Sequence, residues 1–330
     1  KSSTGKNISD YESTFARIVG EKNPISCSNG TAALHLALLS LNIGPGDEVI
    51  VPALTFIATA NVVKYVGATP VLVDVLPDTW TIDPQLVEKR VSPKTRAIIP
   101  VHLYGYPSDM TPLQKIASRN NIALIEDAAE AHEATYKRKK VGSIGDLGCF
   151  SFFGNKIITT GEGGMISTND SNIKNKIELL KNHGMSKTRK YFHPILGYNY
   201  RMTNLQAAIG TAQLNKLPTI MYKRQRLSQM YRRLLGSIKG LKFQQSLPDR
   251  KAVCWLFSFL VTPSYGHTRN QLMKYLRTKG IDSRPFFYPL NVFPMYKSKE
   301  KFPVSTQLSL QGINIPSFPD LKMKEINYIV

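Results

Sequence analysis

Lys156 is the residue of this chain best suited to covalent chemistry. It closes the run Ser151-Phe152-Phe153-Gly154-Asn155-Lys156 and precedes a Thr/Gly-rich turn over residues 159–164. A desolvated lysine amine is a nucleophile toward carbonyls, and burying one without a role is costly. Composition alone does not separate it from a surface lysine. The pair Glu126-Asp127 ends an apolar run of strand length, residues 122–126. Ligands of open α/β sheets bind beyond the carboxyl ends of strands, where a carboxylate can pair with a cationic ring nitrogen. A helix cap or a surface turn uses the same residue types. Ser28-Asn29-Gly30-Thr31 reads as a loop-to-helix junction. Free N–H groups and the helix dipole make such a junction an anion site, and an ordinary N-cap by Ser28 or Asn29 reads the same way.

These residues need elements to hold them. Residues 29–41 read as a helix, with Leu34, Leu38 and Leu41 at helical spacing and Gly44-Pro45-Gly46 as the breaker. A strand follows at 48–51, a helix at 56–66 and a strand at 70–75. Further strands at 97–101 and 122–126 flank a helix at 111–119. This alternation predicts an α/β fold with a largely parallel sheet. Beyond residue 216 come a long basic helix (216–235), a strand (252–261), a helix (267–279) stopped by Gly280, and proline-rich loops. The expected division is a large domain, 1–215, and a smaller α+β domain, 216–330, joined by the long helix. No internal repeat or low-complexity segment is present.

Composition narrows the function classes. The 330 residues are 42% hydrophobic and 20% charged, as in an ordinary soluble protein. No apolar run approaches the roughly 20 residues that span a bilayer. No signal peptide is visible. The chain starts at Lys1 and ends in a helix-like pattern, so both termini are expected to be trimmed or never to have been ordered. Cys27, Cys149 and Cys254 lack metal-ligand spacing, which predicts free thiols in a reducing cytoplasm and no metal site. The formal net charge is +20, and Lys223, Arg224, Arg226, Arg232 and Arg233 contribute to it. A solvated helix face accounts for that cluster. The aromatic–basic interleaving of an RNA-binding module is missing, so nucleic acid is not the expected partner. A positive field would instead attract an anionic substrate.

Several stretches together carry a resemblance: SNGTAALHLAL, GDEVIVPALTFIATANVV, PVLVDV, HLYG, IEDAAEAH, SFFGNKIITTGEGGM and GYNYRMTNLQAAIG, in this order between Ser26 and Gly210, with GINIPSFPDL near the end. In these the chain resembles the DegT/DnrJ/EryC1/StrS sugar aminotransferases, which are fold-type I pyridoxal-phosphate (PLP) enzymes. The resemblance implies that Lys156 carries PLP covalently and that Asp127 pairs with the pyridinium nitrogen. Glu130 would sit beside the cofactor's phenolic oxygen and Phe56 on the ring face. Gly30, Thr31 and Ser151 would hold the phosphate, and Asn199 would reach it from the neighbouring subunit of a homodimer.

EDAAEAH with SFFGNKIITTGEGG is most similar to family members that aminate C4 of a GDP-linked 4-keto-6-deoxy sugar with glutamate as donor. UDP- or dTDP-linked sugars, some aminated at C3, are the alternatives. A related 3-dehydratase has histidine where this chain has Lys156. The candidates for gripping the sugar nucleotide are His183, Arg201, Arg284 and Tyr288. Two positions depart from the family: Glu133 and Arg138 stand where glycine is usual. If those glycines hold positive φ, a side chain there costs energy. The competing function class is a basic binding protein that has lost catalysis on the same fold.

Overall fold

The computed structural model describes residues 5–20 and 23–330. Helix α1 (Lys6–Val19) leads to strand β1 (Asn23–Cys27), α2 (Gly30–Ser40), β2 (Glu48–Pro52), α3 (Ala58–Tyr65) and β3 (Thr69–Val73). Then come α4 (Pro84–Arg90), β4 (Thr95–Ile98), α5 (Met110–Asn120) and β5 (Ala123–Asp127). A hairpin, β6 (Thr135–Tyr136) and β7 (Lys139–Lys140), precedes β8 (Leu147–Ser151), β9 (Gly164–Thr168) and α6 (Ser171–Leu180). The remainder comprises α7 (Asn204–Leu235), β10 (Leu241–Lys242), β11 (Arg250–Lys251), β12 (Phe257–Val261), α8 (Arg269–Thr278), β13 (Arg284–Pro285), α9 (Pro303–Gln311), β14 (Gly312–Ile315) and α10 (Met323–Ile329).

The main sheet has seven strands in the order β1-β9-β8-β5-β4-β2-β3. The run from β8 to β3 is parallel, whereas β9 is antiparallel to both β8 and β1. Side chains alternate between two cores, as the pleat requires. Ile50, Ile98, Leu124 and Phe150 join Tyr11 and Phe15 of α1 on one face. Val49, Val51, Ala97, Ile125 and Cys149 join Leu36 and Leu38 of α2 on the other. Burial on both faces is why these strands read as continuous apolar runs. A four-stranded antiparallel sheet, β10-β12-β14-β13, packs Phe257, Phe259, Ile313 and Ile315 against Leu227 and Tyr231 of α7.

The long helix differs from the sequence expectation. It begins at Asn204 rather than near residue 216 and continues through Pro218, so the expected boundary at 215 falls inside it. A capping box of Thr203 and Gln206 starts it. The strand expected over 252–261 is confined to β12, because Val253 and Trp255 turn away to meet the main sheet's loops. The short sheet β11-β6-β7 places Lys137 (φ 47) and Arg138 (φ 67) in its hairpin turn, and Glu133 (φ 71) precedes it. Both positions where the family has glycine therefore adopt the left-handed conformation that favours glycine.

Candidate active site

The carboxyl ends of the parallel strands converge on one cavity of about 450 Å³, within the roughly 300–1,000 Å³ usual for ligand pockets. Each strand delivers its share. Phe56 follows β2, Tyr104 follows β4, Asp127 ends β5 with Glu130 beyond it, and Ser151 ends β8 with Lys156 beyond it. Gly30 and Thr31, at the start of α2, close one end.

Asp127 is buried and oriented from two sides. Thr59 Oγ1 donates to its Oδ2 at 2.8 Å, and the Ala129 N–H donates to its Oδ1 at 3.2 Å. Burial pushes its carboxyl up; Thr59, the Ala129 N–H, Lys156 and His102 only partly counter this. Among the described residues no cation pairs closely with it. Alternation along β5 sends Glu126 to the opposite side, where it has a different task. It accepts from the N–H groups of Gly142, Ile144 and Gly145 at 2.8, 2.6 and 2.7 Å. The Ser108 N–H donates to His102 Nδ1 at 3.0 Å, so Nε2 carries the proton toward Glu126 Oε2, also at 3.0 Å. The His102 N–H donates to the Asp127 carbonyl. Glu126 and His102 therefore clamp the strand end that presents Asp127.

The Lys156 side chain is 13% exposed, with Nζ 3.8 Å from Glu130 Oε1 and 4.0 Å from the centre of the Trp255 ring. Trp255 is pinned by its indole N–H, which donates to the Asn155 carbonyl at 2.7 Å. Glu130 Oε2 accepts from the Tyr104 N–H at 2.7 Å. Burial raises the Glu130 carboxyl to about 7 against the opposing pull of Lys156 and that N–H. Phe56 packs against Phe287, and Tyr104 stacks on Phe287 and Trp255, giving the cavity an aromatic wall.

Asn29 settles the capping question at the junction: its side chain accepts from the Ala32 N–H at 2.8 Å. The N–H groups of Gly30 and Thr31 find no acceptor among the described residues. A Cβ on Gly30 would lie 2.8 Å from the Ser151 Cβ, so only glycine lets β8 approach this closely. The result is an anion cradle beside the Ser151 hydroxyl.

The remaining sequence candidates fall into two places. Arg284 lines the cavity. Tyr288 stands nearby against Phe293, mostly exposed. Asn199, Arg201 and His183 form a separate group outside the lining. Arg201 donates to Asn199 Oδ1 at 2.9 Å and Asn182 Oδ1 at 2.6 Å, and its Nη2 lies 3.4 Å from His183 Nε2. Sequence reasoning missed Thr59, Tyr104, Trp255 and Phe287. Trp255 carries a usable signal, being one of two tryptophans in the chain. Thr59 and Tyr104 lie within the resembling stretches GDEVIVPALTFIATANVV and HLYG, whereas Phe287 carries no signal of its own.

A model of the DegT/DnrJ/EryC1/StrS aminotransferase family matches residues 1–330. The chain belongs to this family. GDP-perosamine synthase of Caulobacter vibrioides is 46% identical, over 100% of this chain and 90% of that protein. GDP-perosamine synthase of Escherichia coli O157:H7 is 43% identical, over 99% and 89%. S. venezuelae DesV, solved in complex with ketimine intermediate, superposes with a TM-score of 0.94 at 34% identity, covering 100% of this chain and 88% of that one. This is the fold of the PLP aminotransferases, and the chain is a PLP-dependent aminotransferase. Its residues fit that cofactor. A phosphorylated pyridine needs an anion cradle, a buried carboxylate for its ring nitrogen, apolar walls for its faces and an amine for its aldehyde. The Gly30–Thr31 junction, Asp127, the aromatic wall and Lys156 supply these within one cavity.

Proposed function

We propose that this chain aminates C4 of a GDP-linked 4-keto-6-deoxy sugar, taking the amino group from glutamate. The observation that carries this reading is that both relatives above, each matched over nearly its whole length, are GDP-perosamine synthases. PLP, when bound, acts as the electron sink for the amino donor. Lys156 Nζ would hold the aldehyde carbon and, once released, would take the proton from the donor's Cα and deliver it to the carbon that carried the aldehyde, a task for a positioned amine. Asp127 keeps the ring nitrogen protonated by charge. Glu130 would govern the proton at the cofactor's phenolic oxygen, and Phe56 would cover a ring face. Gly30, Thr31 and Ser151 grip the phosphate.

The working unit is a homodimer in which Asn199 serves the partner's cavity, with Arg201 and His183 beside it on the sugar side. Two features support this. The three residues stand apart from the cavity of their own chain. The same region exposes Tyr191 (77%), Leu196 (83%) and Leu205 (74%), an apolar surface that needs covering. No described helix is long and apolar enough to cross a membrane. Free Cys27, Cys149 and Cys254 suit a reducing cytoplasm.

The test supplies ¹⁵N-glutamate with GDP-, UDP- and dTDP-linked keto-sugars and analyses the products by mass spectrometry and NMR. Label at C4 of the GDP-sugar is expected. Label only in a UDP- or dTDP-sugar, or at C3, overturns the substrate assignment.

A further inference from the structure

The small sheet β11-β6-β7 gathers cations from two distant segments. Its hairpin reads Lys137-Arg138-Lys139-Lys140, and β11, Arg250–Lys251, pairs with the other edge of β6. Between the hairpin and the 248–251 segment lies a cavity of about 310 Å³. Lys137, Arg138, Arg250 and Lys251 line it, with Thr135 and Asp249. It shares no lining residue with the catalytic cavity.

The carboxylates beside this cavity are already engaged. The Arg250 side chain is 5% exposed, with Nη2 2.9 Å from Asp109 Oδ2. Asp249 Oδ1 stands 3.4 Å from its Nε without forming a hydrogen bond. Glu133 pairs with Lys140 at 2.6 Å. Lys137 finds only a hydroxyl, Thr111 Oγ1 at 3.0 Å, and the face of Tyr136. The side chains of Arg138, Lys139 and Lys251 are exposed and have no hydrogen-bond or ion partner among the described residues. Like charges held this close repel one another. The turn adds a backbone cost, because Lys137 (φ 47) and Arg138 (φ 67) both hold the left-handed conformation. Arg138 returns no contact to the fold for that cost. A bound anion would relieve the repulsion and give Arg138 a partner.

The surroundings choose among anions. Among the described residues, no large apolar side chain is exposed in the segments 133–140 and 247–251, so nothing there can enter a lipid interface. The one aromatic ring of the sheet, Tyr136, is buried, with Lys137 and Arg250 over it, so no platform is offered for stacking bases. What remains is a concave site with a guanidinium and ammonium groups, which grip phosphate oxygens by paired hydrogen bonds and by point charge. We propose that this cavity binds a soluble oligophosphate, a molecule carrying two or more linked phosphates. Arg138 and Lys251 hold its oxygens from the two segments, and Lys137 and Lys139 add charge beside them. The site is independent of which sugar nucleotide is aminated.

The test titrates PLP-loaded enzyme with inorganic tripolyphosphate by calorimetry. It compares wild type, Arg138→Gly/Lys251→Gln, Lys251→Gln alone, and a charge-matched control on α8, Lys274→Gln/Arg277→Gln. Glycine eases the turn at 138, and Lys251→Gln alone leaves that turn untouched, so a folded variant is assured. The double variant should raise the Kd by about tenfold or more, the effect of losing charged hydrogen bonds. Lys251→Gln alone should raise it severalfold. The control should change it by about twofold at most, because salt screens exposed charges that do not touch the ligand. The glutamate half-reaction should keep its wild-type rate in every variant, as a site outside the catalytic cavity requires. Four results overturn the proposal: an equal loss in the control, a Kd indifferent to Arg138 and Lys251, no tripolyphosphate bound by wild type, or capture by phosphatidylglycerol vesicles while tripolyphosphate is ignored.

Discussion

At Asp127 the charge matters more than the hydrogen bonds. Thr59 and the Ala129 N–H could hold an asparagine in nearly the same place, but asparagine cannot favour a protonated ring nitrogen. An opposite charge at close range shifts such a pKa by about 1–3 units. Asp127→Asn should therefore retain PLP while slowing the glutamate half-reaction by about 10- to 10³-fold. Stopped-flow absorbance measures this, and an unchanged rate removes the pairing. His132 carries a different signature. It is buried among Phe150 and Phe152, with neither ring nitrogen partnered among the described residues. Burial, then Lys156 and Arg224, lower its pKa from 6.5 to about 3. Below pH 6.5 the unfolded chain binds a proton there that the folded chain refuses. Stability from this site is thus present above 6.5 and falls by about 1.4 kcal/mol per pH unit toward 3. Glu130, raised to about 7, acts oppositely between 7 and 4.5, so the total curve hides the effect. The difference between wild type and His132→Leu isolates it. Denaturant titrations should show wild-type stability falling relative to the leucine variant from pH 6.5 to 4.5; a constant difference contradicts a neutral buried imidazole.

Among the elements, the parallel strands and their flanking helices were legible because burial on both faces leaves continuous apolar runs with glycine and proline between them. Asp127 was legible for the same reason, since its strand ends visibly at an acidic pair. The opposite facing of Glu126 follows from alternation, but its clamp on the 142–145 loop does not, because that loop has no sequence signature. Helix α7 starts at Asn204, upstream of the expected start at 216, although Thr203 and Gln206 spell a capping box. Tyr104, Trp255 and Phe287 were not legible as a wall, since they meet only through the tertiary fold. The glycine departures at 133 and 138 did foretell strain. The β6–β7 turn asks Lys137 and Arg138 to hold positive φ, which a type I′ hairpin assigns to Asn-Gly. The double change Lys137→Asn/Arg138→Gly should stabilise the protein by about 1 kcal/mol, read as a higher urea midpoint at unchanged slope. A lower midpoint would mean that the Lys137 bond to Thr111 outweighs the strain.

For the whole molecule, the account requires two chains per functional unit. In the proposed homodimer, Lys156 and Asn199 would belong to different sites of one chain but to the same site of the pair. Chains carrying Lys156→Ala or Asn199→Ala should each make poor or inactive homodimers. Co-expressed with different tags and purified as the hybrid, they should recover activity, because one site then regains both residues. A hybrid no more active than its parents, or a fully active monomer in sedimentation, contradicts the composite site.

The central claim is that Lys156 carries the cofactor, and borohydride reduction tests it most directly. Reduction fixes the lysine–PLP linkage, and proteolysis with mass spectrometry then locates it. The account predicts a single phosphopyridoxyl label, on the peptide containing Lys156, with loss of the visible band. A label on another lysine, or none on a chain that binds PLP, would contradict it.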